Sequence, residues 1–350
     1  MLILVINCGS TSTKLAIFRD ETELVRKALT HSADYLKQFD RATDQADFRF
    51  DAVKRFLEDA GYAFPQFDCV VARGGILPPI RSGAYIVDDA MMDLLFYHPI
   101  RNAHSNLSGI LAYQISKKYG IPAYIYDGVT TDELSPIARY SGVAGSDRYS
   151  HHHALNTRAM AKEAAEELGI PYDEGTFIVA HMGGGFSVNV HDKGRMTDVI
   201  TAEEGAFSTE RCGGLAGDSI LRLVEEHGID HVRRLLHGQG GLVSYFGTNN
   251  VTELSERVSA GDKVVENVLR AMVYQTAKSI GALSTTVNGR VDAIILTGGL
   301  ANSARLMDWL AERVGFIAPI VVKPGEHEME ALARGALRVM RGEESAHSIG

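Results

Sequence analysis

Two short polar loops stand about half a chain apart, each held between apolar runs. Asn7-Cys8-Gly9-Ser10-Thr11-Ser12-Thr13-Lys14 follows Ile3-Leu4-Val5-Ile6, and His181-Met182-Gly183-Gly184-Gly185-Phe186-Ser187 follows Phe177-Ile178-Val179-Ala180. The first loop offers the hydroxyls of Ser10, Thr11 and Ser12 and the ammonium of Lys14. The second offers backbone N–H groups at Gly183, Gly184 and Gly185 that no side chain shields. Phosphate anions are bound by such groups. One loop of this kind is also an ordinary hairpin turn. The matched pair points to two lobes that clasp a polyphosphate. Thr297-Gly298-Gly299-Leu300 adds a strand that runs through a Gly pair into a helix, where missing side chains let a nucleotide approach the backbone.

The elements that must carry these loops repeat as well. Asp68-Cys69-Val70-Val71-Ala72-Arg73-Gly74-Gly75 and Asp292-Ala293-Ile294-Ile295-Leu296-Thr297-Gly298-Gly299 are both apolar strand-like runs that end in a Gly pair. Apolar positions at helical spacing predict a helix over Asn106 to Tyr119, stopped by Gly120-Ile121-Pro122, and a short strand follows over Ala123 to Tyr126. Further helices are expected over 155–168, 218–227, 262–287, 303–314 and 328–341. Strands alternating with helices in both halves give an α/β architecture with mostly mixed sheets. The halves should meet near 143–153, where no low-complexity linker intervenes.

The 350 residues, 45% hydrophobic, suffice for two globular domains. A net charge of −9 argues against a nucleic-acid partner. Three scattered cysteines, Cys8, Cys69 and Cys212, fit free thiols in a reducing cytoplasm. With no signal peptide and no membrane span evident, a cytoplasmic protein without a membrane partner is expected.

Five colinear segments closely resemble the butyrate kinases, a branch of the acetate and short-chain carboxylate kinases within the actin, sugar kinase and heat-shock chaperone superfamily. They are Asn7 to Lys14, Ala180 to Gly185, Glu210-Arg211-Cys212-Gly213-Gly214-Leu215, Thr297 to Leu300, and Pro324-Gly325-Glu326-His327-Glu328-Met329-Glu330-Ala331-Leu332. The resemblance spans essentially the whole chain. It implies duplicated actin-like (ribonuclease H-like) domains with ATP in a cleft between two lobes, 1–150 with the C-terminal helix 329–350 returning to it, and 151–328. It also implies Mg²⁺-dependent, reversible phosphoryl transfer between ATP and butyrate or a related acid, giving butyryl phosphate and ADP, in a homodimer or higher homo-oligomer.

Residue by residue, the resemblance assigns Arg73 to the substrate carboxylate, which a planar guanidinium can hold bidentately. It makes His181 the catalytic histidine, suited to donating a hydrogen bond to a phosphoryl oxygen in the transition state. Asp127 and Glu328 match the family's acidic pair and are assigned to Mg²⁺. Asp127 orienting Arg73 stays open as an alternative. Asn7 and Lys14 should line the phosphate end, although Lys14 equally fits a solvated strand position. Ser10, Thr11, Ser12, Gly183, Gly184, Gly185, Gly298, Gly299 and Leu300 complete the expected nucleotide contacts.

Acetate kinases carry an arginine in a Ser-Asp-Phe-Arg segment, whereas Val243-Ser244-Tyr245-Phe246-Gly247 here puts Gly247 in that place. Arg211 is the cation available to compensate, unless Glu210 or Glu204 holds it in a structural ion pair. This departure favours a butyrate-type enzyme. So do the small or aliphatic residues Ala72, Gly74 and Ile76 beside Arg73 and Ala180 beside His181, which are expected to leave room for a longer acyl chain. His151-His152-His153 lacks metal-ligand spacing and reads as structural, with His153 a candidate to face the cleft. Asn102 and His104 either cap a helix or border the acyl site. The competing readings are an acetate, propionate or branched-chain acid kinase and, in another class, a nucleotide-switched actin-like or chaperone-like binding module, for which no appended peptide-binding domain is evident.

Overall fold

The computed structural model describes residues 1–350, the side chain of Ala33 excepted. Strands β1 (Leu2–Cys8), β2 (Ser12–Arg19), β3 (Thr22–Thr30), β4 (Cys69–Ala72), β5 (Ala84–Ile86) and β6 (Ala123–Tyr126) form a sheet in the order β3-β2-β1-β4-β6-β5. Strands β7 (Thr176–Met182), β8 (Phe186–Asp192), β9 (Arg195–Ile200), β10 (Ala293–Gly298) and β11 (Ile320–Pro324) form another in the order β11-β10-β7-β8-β9. Both follow one plan. An antiparallel meander, β1-β2-β3 or β7-β8-β9, is extended beyond its first strand by parallel neighbours, β4 and β6 or β10 and β11. Even the irregularities match: register shifts fall between Ile17 and Phe18 and between Val190 and His191. The repeat read from the loops is therefore a repeat of topology, to which the first sheet adds β5, antiparallel to β6.

The chain divides into two compact units, Met1–Asp132 with His327–Gly350, and Glu133–Glu326. The first crossing thus lies ahead of the expected 143–153 region. Its cause is local packing: Glu133 is buried and accepts the Met196 N–H at 3.0 Å, and Leu134 packs with Val199, so residues from 133 onward already belong to the second sheet. Glu328, placed by the 151–328 boundary in the second lobe, belongs to the first unit.

Strand alternation decides which side chains meet which helix. In the first unit Leu4, Ile6 and Cys8 share a core with Val53, Phe56 and Leu57 of the helix Ala46–Asp59 and with Leu107, Ile110 and Leu111 of the helix Asn106–Tyr119. The helix Glu328–Met340 also packs on β1, β4 and β6, with Gly335 against the Tyr126 ring. In the second unit Ile178, Ala180 and Met182 meet the helices Lys263–Ser284 and Ala304–Val314. Phe177 and Val179, on the opposite face, meet Met160, Ala161, Ala164 and Ala165 of the helix Ala154–Leu168. The 106–119 helix ends on Gly120 in the left-handed region (φ 70°), and Asp262 caps the 263–284 helix by accepting the N–H groups of Val264 and Val265, both at 3.1 Å. The 46–59 helix has no counterpart in the sequence reading, because its buried stripe contains Arg49 among Ala46, Ala52, Val53, Phe56 and Leu57. Among the described residues no helix is long and apolar enough to cross a membrane.

Candidate functional site

In the first unit β1, β4 and β6 run parallel in register, Ile6 beside Ala72 and Ala72 beside Ile125. Their C-terminal ends therefore deliver Asn7, Arg73 and Asp127 to one edge of the sheet, where ligands of open α/β sheets commonly bind. Asn7 lies on the face opposite Leu4, Ile6 and Cys8. Its Nδ2 donates to Glu328 Oε2 at 2.8 Å, at the start of the 328–340 helix. Arg73 donates from Nε to Glu328 Oε1 at 3.3 Å and from Nη1 to the Asp127 carbonyl oxygen at 3.4 Å. Its side chain is 11% exposed, and among the described residues Nη2 has no hydrogen-bond partner. The Nη2 edge of the guanidinium is thus open to a further acceptor. Asp127 is buried in a left-handed conformation (φ 43°), and its Oδ1 accepts the Gly83 N–H at 2.7 Å. Arg73 thus joins Asn7, the Glu328 carboxylate and the Asp127 carbonyl in one cluster, with the Asp127 carboxylate turned to the Gly83 N–H. Oxygen donors of this kind fit Mg²⁺, which takes one or two carboxylates and fills its remaining positions with phosphate and water oxygens.

Around this cluster, Ser10 and Thr11 are exposed, Ser12 is half-buried, and Lys14 is exposed on β2 opposite Asn7. Asn102 accepts the Thr43 N–H at 3.4 Å, and His104 is half-buried, its pKa held down by burial and then by the charge of Arg49. The buried residue of that segment is Asn106, which accepts the Ile76 N–H at 2.9 Å and donates to the carbonyls of Leu95 and Arg101, both at 3.1 Å. It fixes the chain that follows Arg73.

In the second unit His181 projects on the face of Phe177 and Val179, toward the 154–168 helix. Its Nδ1 lies 2.7 Å from Asn156 Oδ1, and its ring stacks on His153 at a centroid distance of 3.9 Å and 14°. The Asn156 amide donates from Nδ2 to the Glu326 carbonyl. This assigns Oδ1 to His181 and so puts the proton on Nδ1. Nε2 is left facing Gly183, where a Cβ would lie 3.4 Å away. A neutral His181 therefore presents an acceptor at Nε2, and only its imidazolium form presents a donor there. The turn Gly183 to Gly185 is held from one side by Ser208 Oγ, donating to the Gly184 carbonyl at 2.6 Å, and by Thr209 Oγ1, donating to the Gly183 carbonyl at 3.2 Å. A side chain on Gly185 would strike the Arg211 guanidinium at 2.8 Å. Arg211 is half-buried and forms no ion pair among the described residues. Glu204 engages Arg148 at 2.8 Å, and Glu210 accepts from Asn249 at 2.6 Å. Gly298 sits so close to the Met182 carbonyl that a Cβ would come within 2.3 Å, whereas Gly299 is exposed with nothing within 4 Å. Leu300 is buried behind it.

One expectation changes, and the reading of the three adjacent histidines as divergent stands. Ala72 and Ala180 point into the cores below their strands rather than toward Arg73 and His181, because each stands one residue out of phase with the site face; of the aliphatic residues named beside the motifs, half-buried Ile76 remains. The three adjacent histidines diverge. His153 bonds Ser187 Oγ at 2.9 Å, buried His152 meets Asn189 at 2.7 Å, and His151 is exposed beside Tyr149. Asn156, which meets the His181 ring, was not singled out in the sequence; the available signal was its place in the first turn of a helix, two residues into the element.

Residues 137–322, more than half of the chain, match the Acetokinase family. An acetate kinase of Porphyromonas gingivalis superposes with a TM-score of 0.80 at 18% identity, covering 98% of this chain and 100% of that one. A propionate kinase of Francisella tularensis superposes with a TM-score of 0.75 at 16% identity, covering 95% and 98%. An acetate kinase of Entamoeba histolytica gives 0.76 at 15% identity, covering 96% and 98%. The duplicated sheets are thus the actin-like fold of those kinases, and the chain belongs to the acetokinase family.

Proposed function

We propose that the protein is a butyrate-type carboxylate kinase that interconverts ATP and a short-chain acid with ADP and the acyl phosphate. Membership in the acetokinase family supplies the coarser statement, a carboxylate phosphotransferase using ATP and ADP. The observation that carries the finer one is the pairing of Gly247 with Arg211. Gly247 ends the helix Gly241–Phe246 in the left-handed region (φ 71°) with nothing within 4 Å, where acetate kinases hold an arginine. Arg211, with no ion-pair partner among the described residues, lies against the glycine turn.

The acid is ionised at neutral pH, with a pKa of roughly 4 to 5, so no general base is required. Its attack needs alignment and relief from phosphate repulsion. Arg73 binds the carboxylate through its open edge while Glu328 and the Asp127 carbonyl fix the guanidinium plane. Asp127 and Glu328 are the carboxylates to hold Mg²⁺, which when bound offsets phosphate charge. His181, as imidazolium, donates from Nε2 to a phosphoryl oxygen, and Arg211 adds a second cation. Gly184 and Gly299, both exposed, leave backbone open to the nucleotide, and Gly183, Gly185 and Gly298 let the turns around them pack closely.

Hydroxylamine trapping of acyl phosphate, with ATP, Mg²⁺ and acids from two to six carbons, tests this reading. Each buried methylene contributes about 0.8 kcal/mol, so two should favour butyrate over acetate by more than about tenfold in kcat/KM. A profile that peaks at acetate removes the butyrate assignment and keeps the kinase. No stoichiometric acyl phosphate with any acid removes both and leaves the nucleotide-switched module.

A further inference from the structure

Arg49 is fully buried, yet among the described residues no carboxylate touches it. Its five N–H groups are met by neutral acceptors. Nη1 donates to the Ser12 carbonyl at 2.7 Å and to Thr13 Oγ1 at 3.1 Å, Nη2 to the Ser10 carbonyl at 2.8 Å and to Gln45 Oε1 at 2.8 Å, and Nε to Gln45 Oε1 at 3.1 Å. Cys8 lies within reach as well. A buried charge without a counter-ion is costly and is ordinarily replaced or paired. Here the positive charge stands directly behind the Gly9–Ser12 loop. It also turns the carbonyls of Ser10 and Ser12 inward, so that the loop's outer side, with exposed Ser10 and Thr11, is relieved of two negative dipole ends.

We infer that Arg49 is a positioning residue for phosphate recognition: its fork holds the 9–13 loop in the form that receives a phosphoryl anion, and its uncompensated charge supplies part of the attraction. The inference rests on the kinase reading only in taking the loop's ligand to be a phosphate. The same charge reaches the titratable neighbours of the loop. His31, bonded to Thr13 Oγ1 at 2.8 Å on the far side of the same network, has its pKa lowered by burial and then by Arg49. Burial raises the Cys8 thiol, and Arg49 opposes that rise.

Arg49→Lys keeps the charge and loses the fork; Arg49→Met keeps the bulk and loses both. With ATP and the preferred acid, Arg49→Lys should keep the ATP KM within about threefold while kcat falls about tenfold, and Arg49→Met should raise KM about tenfold or more with a larger kcat loss. Imidazole titration by NMR should show the His31 pKa rising in Arg49→Met and staying in place in Arg49→Lys, which keeps the charge. Wild-type kcat/KM in Arg49→Met overturns the inference. So do equal losses in both variants with His31 unmoved. Should Arg49→Met not fold, Arg49→Lys decides: unchanged kcat overturns, and the split between kcat and KM supports. Should the wild type phosphorylate no acid, the kinase reading fails separately. Inorganic phosphate binding, about tenfold weaker in Arg49→Met than in Arg49→Lys, then supports the role of Arg49, and equal binding overturns it.

Discussion

Asn7 and His181 occupy the same place in the two duplicated hairpins, next to last in β1 and in β7, and each reaches the first turn of a helix on the same side of its sheet, Glu328 for one and Asn156 for the other. The supports behind the two turns differ. The 9–13 loop leans on a buried cation, and the 183–185 turn hangs from two hydroxyls with Arg211 alongside. In the first unit an amide is tied to a carboxylate that also holds Arg73. In the second an imidazole is tied to an amide that leaves its outer nitrogen toward the turn. Duplication preserved the backbone path and the geometry of the contact while exchanging its charge. Under the proposed function, the first copy holds anions and metal and the second answers charge that develops during transfer.

That division is broken most directly at its two equivalent positions. His181→Ala should lower kcat by about 10² or more with modest KM changes, and Asn7→Ala by about tenfold; equal losses in steady-state kinetics would erase the distinction between the hairpins. Arg73→Leu should reduce kcat/KM for the acid by about 10- to 100-fold while calorimetry finds ADP affinity unchanged, and Arg73→Lys should recover little because an ammonium lacks the fork. A loss of ADP affinity would move Arg73 to the nucleotide. Asn156→Ala should cost about tenfold in kcat by freeing the His181 ring. Asn156→Asp sharpens the point. A carboxylate at Nδ1 favours the imidazolium, so the alkaline limb of the kcat profile should move to higher pH, and an unmoved limb would show that His181 does not act protonated. Last, one substitution should have opposite signs in the two units. Gly335→Ala brings a Cβ within 2.5 Å of the Tyr126 ring, an overpacking cost of about 1–3 kcal/mol. Gly281→Ala, with nothing within 4 Å, should instead stabilise its helix by about 0.5–1 kcal/mol. Thermal melts of both variants check the pair.

The repeat, the strand–loop–strand units and the long amphipathic helices were legible because period and punctuation are local properties of a chain. Arg73, Asp127 and His181 were singled out through the resemblance, and the structure places each at or just past the end of an apolar strand. Asn156 and Arg49 were not. Asn156 is distinguished only by a contact across 25 residues of sequence, and Arg49 resembles any other charge on a helix until its burial is known. The acyl-side residues failed in a different way. Ala72 and Ala180 are next to the motifs along the chain but on the opposite face of the pleat, and adjacency in sequence is the wrong measure where side chains alternate.

The helix that carries Glu328 belongs to the first unit but follows the whole of the second in the chain. During synthesis the 2–132 sheet emerges early and must wait, one face uncovered, while Glu133–Glu326, continuous in sequence, can collapse as it is made. Only the late arrival of Glu328–Met340 closes that face over β1, β4 and β6 and delivers the carboxylate that orders Asn7 and Arg73. Assembly of the Asn7–Arg73–Glu328 cluster is thereby coupled to synthesis beyond the second unit, so a product stalled before Glu328 would lack the cluster's carboxylate anchor.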